Sequence, residues 1–313
     1  MTSALKSLHV KNVTSDSGYV GRFAPSPSGP MHFGSLVTAL GSFLQAKSQN
    51  GKWLLRIEDI DPPREVAGAS ESIMRCLEAH HLFWDHEVVY QSHRGYLYTE
   101  KIQYLTDQGL TYHCQCSRAQ LASLKFDQVC VCANQDLNNE NSAIRFRHHN
   151  IHQQFFDELL GQVNFPKLDI PAQFAIKRKD NLFAYQLAVV VDDIQQGITE
   201  VARGADLLDA TLFQLALYQA FDRPAPKFLH FPVVVTGPGK KLSKQNHACE
   251  INSNDARTNL TNALEFLGFL LPKELQRGSA QNILNWALCE WDLRKIPAKT
   301  ECIDNRIGHK DSI

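Results

Sequence analysis

From Tyr19 the chain runs through a short apolar stretch, YVGRFAP, and a loop of Pro, Ser and Gly, PSPSGPMHFG. It then enters a segment in which Leu36, Leu40, Phe43 and Leu44 recur at three- and four-residue spacing. This rhythm predicts a strand, a loop and a helix over about 35–47, with Gly34 and Ser35 at the helix start. The turn Asn50-Gly51 leads into Trp53, Leu54, Leu55 and Ile57, a run closed by acids and too short for a helix, which reads as a buried parallel strand. Two strands flanking a helix form a βαβ unit, whose crossover is right-handed. Further helices are expected over 66–79 and 98–108.

The rhythm fades between residues 110 and 180, where cysteine pairs, the segment ANQDLNNENS and scattered aromatics replace any long periodic helix. This stretch is expected to be an inserted subdomain. Alternation of strand and helix patterns then resumes. The run Leu187 to Val191 reads as a central strand ending in Asp192 and Asp193, residues 207–221 as a helix, and FLHFPVVVTG as another strand. The organisation expected is therefore an α/β, Rossmann-like catalytic domain in two halves, 18–109 and 181–246, interrupted by the 110–180 insertion and followed by a short helical segment, 247–313.

Composition narrows the class. With 313 residues, 43% of them hydrophobic and 21% charged, the chain has apolar material for a sizeable core, which excludes disorder as the dominant state. Lys and Arg number 32 against 33 Asp and Glu, so any contact with nucleic acid must come from a local basic patch. Candidate patches are the lysines at 240–244, Lys177-Arg178-Lys179 and Arg294-Lys295. The first eighteen residues lack the apolar core of a secretory signal, and nowhere do about 18 apolar residues run together. A cytoplasmic protein without a membrane partner is expected, and its eight cysteines read as reduced thiols and metal ligands.

Two loops carry phosphate chemistry. In Arg22 to Ser35, a Gly- and Pro-rich turn between strand and helix exposes backbone N–H groups at a helix N-terminus, and His32 can donate to a phosphoryl oxygen. In Gly239 to Asn246, three lysines follow a predicted strand with no acid before Glu250, and such a loop can meet the charge on a leaving pyrophosphate. Either loop alone also fits a plain turn or a solvated surface loop. Together they fall at the carboxyl ends of predicted strands, where open α/β sheets bind ligands.

These motifs carry a resemblance. HFGS at 32–35 and KLSK at 241–244 resemble the two signatures of class I aminoacyl-tRNA synthetases. RFAPSPSG (22–29), RIEDIDPPR (56–64), YQLAVVVDD (185–193) and ITEVARGADLL (198–208) look like their counterparts in the glutamyl group, in the same order. The resemblance spans about residues 18–250. In that group a large anticodon-binding region follows the KLSK loop, and 69 residues after Lys244 leave no room for it. The chain thus looks like the short glutamyl-Q branch. The resemblance implies activation of L-glutamate with ATP and Mg²⁺, without tRNA, and transfer to queuosine at the wobble position in the anticodon arm of tRNA(Asp), by a monomer. A short glutamyl-tRNA synthetase charging the tRNA 3′ end and a non-catalytic paralogue binding RNA or amino acid are the alternatives.

Residue by residue, the resemblance implies that Glu58 receives the substrate ammonium and that Arg22 and Arg203 form the fork for its γ-carboxylate. Tyr185 and the loop Phe23, Ala24, Pro25 and Ser26 add contacts. His32 and Lys244 act as catalytic residues, and ATP is held by His32, Gly34, Ser35, Lys241 and Lys244. Independently, Cys114-x-Cys116 and Cys130-x-Cys132 suit one closed, structural Zn²⁺ site. In the glutamyl-Q branch a tyrosine is among the zinc ligands. Here the nearest aromatic is Phe126, which has no ligating atom, and Cys130 with Cys132 takes that half of the site. Histidines 80–81, 148–149 and 152 are expected at the surface. Asp59, Asp61, Asp192 and Asp193 are expected to cap turns and bind arginines.

Replacing Lys244 by Ala is expected to slow ATP–pyrophosphate exchange by about 10²-fold or more while leaving the thermal melt in place. Unchanged exchange in that variant would remove Lys244 from the chemistry.

Overall fold

The computed structural model describes residues 18–124, 128–135, 137, 140–148, 153–165, 172–237 and 250–304. In chain order the elements are β1 (Val20–Phe23), α1 (Phe33–Ser48), β2 (Lys52–Ile57), α2 (Ala69–Ala79), β3 (Val89–Tyr90) and α3 (Gly95–Asp107). Then come β4 (Thr111–Cys114), α4 (Arg118–Ala122), β5 (Ala143–Arg147), β6 (Gln154–Asp157), β7 (Gly161–Asn164) and β8 (Gln173–Lys177). The rest comprises α5 (Tyr185–Gln195), β9 (Glu200–Gly204), α6 (Ala210–Ala220), β10 (Lys227–Phe231), β11 (Val233–Val235), α7 (Ala256–Phe266), α8 (Ala280–Glu290) and β12 (Glu301–Ile303).

The predicted βαβ unit is present: β1 pairs in parallel with β2, Val20 opposite Lys52, and β3 extends that sheet. A second sheet sets β10 parallel to both β9 and β6, with β7 antiparallel at its edge. The amide of Thr199 donates to the Val20 carbonyl at 2.9 Å, joining the two sheets edge to edge just ahead of β9. Between residues 111 and 177, β4, β5 and β8 form a separate antiparallel sheet, whereas the β6–β7 hairpin belongs to the sheet of β10.

Three expected elements change. The run Leu187 to Val191 is the middle of helix α5, not a strand, so Asp192 and Asp193 sit on a helix. All five of those residues are buried, and a helix covered on every side shows the same unbroken apolar run as a central strand. The strand expected over FLHFPVVVTG breaks at Pro232, which has no N–H to give a ladder. β10 and β11 then pair with different partners. The C-terminal segment is not only helical, because β12 pairs in parallel with β11.

The core sits around α1. Leu36, Leu40 and Leu44 pack with Trp53 and Leu55 of β2, Phe231 of β10, and Leu260, Leu264, Ile283 and Leu284 of α7 and α8. The C-terminal helices therefore close the main core. Helix and sheet approach so closely that a Cβ at Gly41 would stand 2.7 Å from the Phe231 ring. His80 and His148, expected at the surface, are buried. His80 Nδ1 lies 2.7 Å from the Cys76 carbonyl, and His148 stacks on Phe146. Histidines 149 and 152 lie outside the described residues. No helix among the described residues is long and apolar enough to cross a membrane.

Candidate active site

A cavity of about 650 Å³ opens where β1, β2 and β9 end. Arg22, Phe23, Ala24, Pro25, Ser26, Glu58, Tyr185 and Arg203, drawn from stretches far apart in sequence, all line it, and so do His32, Gly34 and Ser35. Lys241, Lys244 and the rest of the KLSK loop, with Gln245 and Asn246, lie outside the described residues. A second cavity of about 460 Å³ shares Ser26, Ser28, Glu58, Arg64 and Tyr185 and extends toward Arg178 and Phe183.

His32 is the N-cap of α1. Its Nδ1 accepts the Ser35 amide at 3.3 Å, which leaves the proton on Nε2, 3.2 Å from Ser35 Oγ. The imidazole lies across the helix start because residue 34 has no side chain. A Cβ there would meet His32 Cε1 at 3.2 Å and Nδ1 at 3.3 Å. An N–H donor at a helix N-terminus facing a cavity is suited to a phosphoryl oxygen.

Behind the cavity lies a buried network of charges. Arg22 Nε and Nη2 donate to the two carboxylate oxygens of Asp193 at 3.1 and 3.4 Å, and Arg56 Nη2 donates to Asp193 Oδ1 at 2.8 Å. Arg56 also faces Glu58 at 3.7 Å and gives Nη1 to Gln196 Oε1 at 2.6 Å. Asp192 accepts from Arg94 at 2.6 Å and from Gln91 and Tyr98 at 2.8 Å. As expected, Asp192 and Asp193 bind arginines. Asp59 accepts Ser92, and Asp61 pairs with Arg64 and Arg178. Burial alone would raise the Asp193 pKa, but Arg22 and Arg56 outweigh it and hold the carboxyl below its ordinary range. Glu58 goes the other way: burial pushes it up to about 7 against the pull of Arg56 and Arg22.

Arg203 stands in different company. Its guanidinium donates to His230 Nε2 at 3.0 Å, Gln214 Oε1 at 2.9 Å and Thr211 Oγ1 at 2.8 Å, and Nη1 reaches the Tyr185 hydroxyl at 3.5 Å. The Phe228 ring lies 5.7 Å from the guanidinium carbon. These partners are neutral. Burial accordingly lowers the Arg203 pKa, whereas Arg22 is already paired with a carboxylate. Thr211, Gln214, His230 and Asp157, which accepts from His230, were not foreseen from the sequence. The readable signals were polar residues inside apolar runs, His230 within KFLHF and Asp157 closing QFFD.

The Cys114, Cys116, Cys130 and Cys132 sulfurs lie within 4.8 Å of one another. Cys114 and Cys130 are 3.6 Å apart, and Cys116 and Cys132 3.5 Å. A tetrahedral thiolate site with Zn–S bonds of about 2.3 Å has S···S edges of about 3.8 Å, so the cluster fits Zn²⁺. Burial pushes the Cys114 thiol up to about 12, and a bound cation is what would hold such a sulfur as thiolate. Phe126 lies outside the described residues. The aromatic beside the cluster is Tyr112, whose hydroxyl stands 3.4 Å from Cys130 Sγ. Tyr112 and Cys114, two apart on β4, share a face of the strand.

Comparison with known proteins shows the family and the fold. Residues 19–285 match the family of class I tRNA synthetases (E and Q), catalytic domain. Glutamyl-Q tRNA(Asp) synthetase of Vibrio vulnificus (strain CMCP6) is 48% identical over 283 residues, 90% of this chain and 93% of the relative. That of Photobacterium profundum is 46% identical over 301 residues, 96% and 97% of the two chains. The crystal structure of glutamate-tRNA synthetase from Elizabethkingia anophelis shares the fold. Its TM-score is 0.75 at 22% identity, covering 91% of this chain and 68% of that one. The protein is thus an aminoacyl-tRNA synthetase-like ligase with a class I catalytic fold. Within that class, the chain belongs to the glutamyl-Q tRNA(Asp) synthetase family.

Elemental analysis of purified protein is expected to give one zinc per chain. Chelation should release it together with four titratable thiols. Metal-free native protein with those four thiols already titratable would refute the site.

Proposed function

We propose that this chain activates L-glutamate with ATP, without tRNA, and transfers the glutamyl group to queuosine at the wobble position of tRNA(Asp). The observation that carries this reading is a single cavity lined by one buried anion, Glu58, and by a buried cation, Arg203, whose hydrogen-bond partners are all neutral. A zwitterion with a second carboxylate suits it. Glu58 takes the ammonium, Arg203 takes the γ-carboxylate in fork geometry, and Tyr185 supplies its hydroxyl beside Arg203. Arg22 lines the same wall but shares its charge with Asp193. From that position it adds positive charge beside Arg203 at the γ-carboxylate end of the cavity.

Activation is then in-line. An α-carboxylate oxygen of glutamate attacks the α-phosphorus of ATP, the bond to the bridging oxygen breaks, and pyrophosphate leaves. No protein nucleophile is needed, so the rate gain comes from positioning and charge stabilisation. His32 donates Nε2–H at the start of α1, with Gly34 and Ser35 lining the phosphate path, and Lys241 and Lys244 bring positive charge. Mg²⁺, when bound with ATP, neutralises part of the pyrophosphate charge. In the second step the modified base attacks the glutamyl carbonyl and AMP leaves. We read residues 18–109 and 181–246 as the catalytic domain, 110–180 as the zinc-bearing insertion and 247–313 as the C-terminal segment of a cytoplasmic monomer.

With ATP, labelled glutamate and total tRNA, label is expected in the anticodon loop of tRNA(Asp) after nuclease fragmentation. Label at the tRNA 3′ end, or none, would overturn the reading. The KM for glutamate in pyrophosphate exchange is expected to rise as pH falls through about 7, approaching tenfold per unit, because protonated Glu58 cannot pair with an ammonium. A KM that stays flat from pH 8 to pH 6 would remove Glu58 from that role.

A further inference from the structure

Arg203 and Arg22 are both buried cations on the wall of one cavity, yet the fold treats them differently. Arg22 touches Asp193 directly. Arg203 reaches its nearest bonded carboxylate only through an imidazole, in the chain Asp157, His230, Arg203. The three residues are 0, 0 and 4% exposed. They come from β6, β10 and β9, neighbouring strands of one sheet.

Hydrogen-bond donors and acceptors fix the protons in this chain. Arg203 Nε is always a donor, so His230 Nε2, 3.0 Å away, accepts. The remaining ring proton is on Nδ1 and goes to Asp157 Oδ2 at 2.7 Å. Asp157 is itself pinned, because its Oδ1 receives the amides of Leu159 at 3.0 Å, Leu160 at 2.9 Å and His230 at 3.4 Å. Around the ring also stand Thr211 Oγ1 at 3.4 Å and the Phe155 and Phe228 rings, and Asp206 acts on it electrostatically. Burial and Arg203 favour neutral imidazole, opposed by Asp157.

We propose that Asp157 and His230 are a positioning pair that orients Arg203 without neutralising it, keeping the guanidinium charged and aimed for a substrate carboxylate. A carboxylate in direct contact would occupy the fork, as Asp193 occupies Arg22. The interposed neutral ring supplies direction alone. This inference rests on the glutamate-binding role given to Arg203 above.

Asp157→Asn tests it by reversing one proton. The three backbone amides still require an oxygen at the Oδ1 position, so the new NH₂ must face His230 Nδ1. That forces the proton onto Nε2, where it opposes the Arg203 Nε–H. The variant is expected to raise the KM for glutamate in pyrophosphate exchange by about tenfold or more, with the KM for ATP within about twofold. ¹⁵N-histidine spectra of the wild-type chain, assigned by comparison with His230→Gln, are expected to show His230 as the Nδ1–H tautomer, and those of Asp157→Asn the Nε2–H tautomer. A wild-type His230 protonated at Nε2 or at both nitrogens would overturn the proposal even if the variant does not fold. So would a folded Asp157→Asn with unchanged glutamate KM, or with KM values for glutamate and ATP that rise together. Failure of the wild-type chain to catalyse glutamate-dependent exchange would instead reject the glutamate reading, and the tautomer would still report on the pair.

Discussion

Two adjacent carboxylates on the buried stretch of helix α5 set the terms for this molecule. Asp192 and Asp193 are 0 and 2% exposed on α5, and two unpaired charges in that position would cost several kcal/mol each. Arg22 at the end of β1, Arg56 near the end of β2 and Arg94 just before α3 supply the compensation. With Glu58, the group holds three acids and three arginines. Each bond ties α5 to a different element of the first half of the chain. The α5 helix is thereby locked against the carboxyl ends of β1 and β2, and Tyr185 at its first turn is delivered to the cavity. The network is worth more as geometry than as net stability. Buried ion pairs roughly balance their desolvation, whereas removing one partner leaves a charge stranded at a cost of about 3–5 kcal/mol.

The same physics divides the arginines by task. An arginine bonded to a carboxylate has given up most of its field, so Arg22 and Arg56 hold the strand ends in place. Arg203 is held by a hydroxyl, an amide oxygen and an imidazole, partners that direct its donors and leave its charge uncompensated. The β6–β7 hairpin contributes to this division. It lies between two strands of the small antiparallel sheet in sequence, yet pairs with β10 and brings Asp157 behind His230. Part of the chain that reads as inserted thus helps build the wall of the catalytic sheet.

Much of this was legible in the sequence, and the failures have physical causes. The eight residues proposed for glutamate could be named because each falls in a short motif that resembles the glutamyl group, seven of them at strand ends and Tyr185 at the first turn of α5. The four cysteines could be grouped because two tight pairs separated by a short loop have few other uses. Helix α5 was misread because periodicity reports on exposure, and a segment without an exposed face has no period. The partners of Arg203 were invisible for a different reason. Asp157, His230, Thr211 and Gln214 lie up to 73 residues apart in sequence, and their relation exists only in the packing of β6, β9, β10 and α6. A polar residue in an apolar strand signals that something is paired, but does not say with what.

The cavity therefore combines two groups that the folded chain stabilises poorly by itself. Burial moves Glu58 toward its neutral acid form and moves Arg203 toward losing its proton, both shifts opposing the charged state. In water neither group would lack solvation, and neither would discriminate strongly among ligands. Here a ligand bearing an ammonium and a carboxylate at matching ends satisfies both at once. A ligand lacking the carboxylate leaves the desolvated Arg203 without an anion, which is the costlier error, whereas Glu58 keeps Arg56 at 3.7 Å. Preorganisation of this kind puts the energetic burden on folding and not on binding. The rigid frame of β1, β2 and α5, held by the Asp192 and Asp193 network, is what allows the fold to carry it.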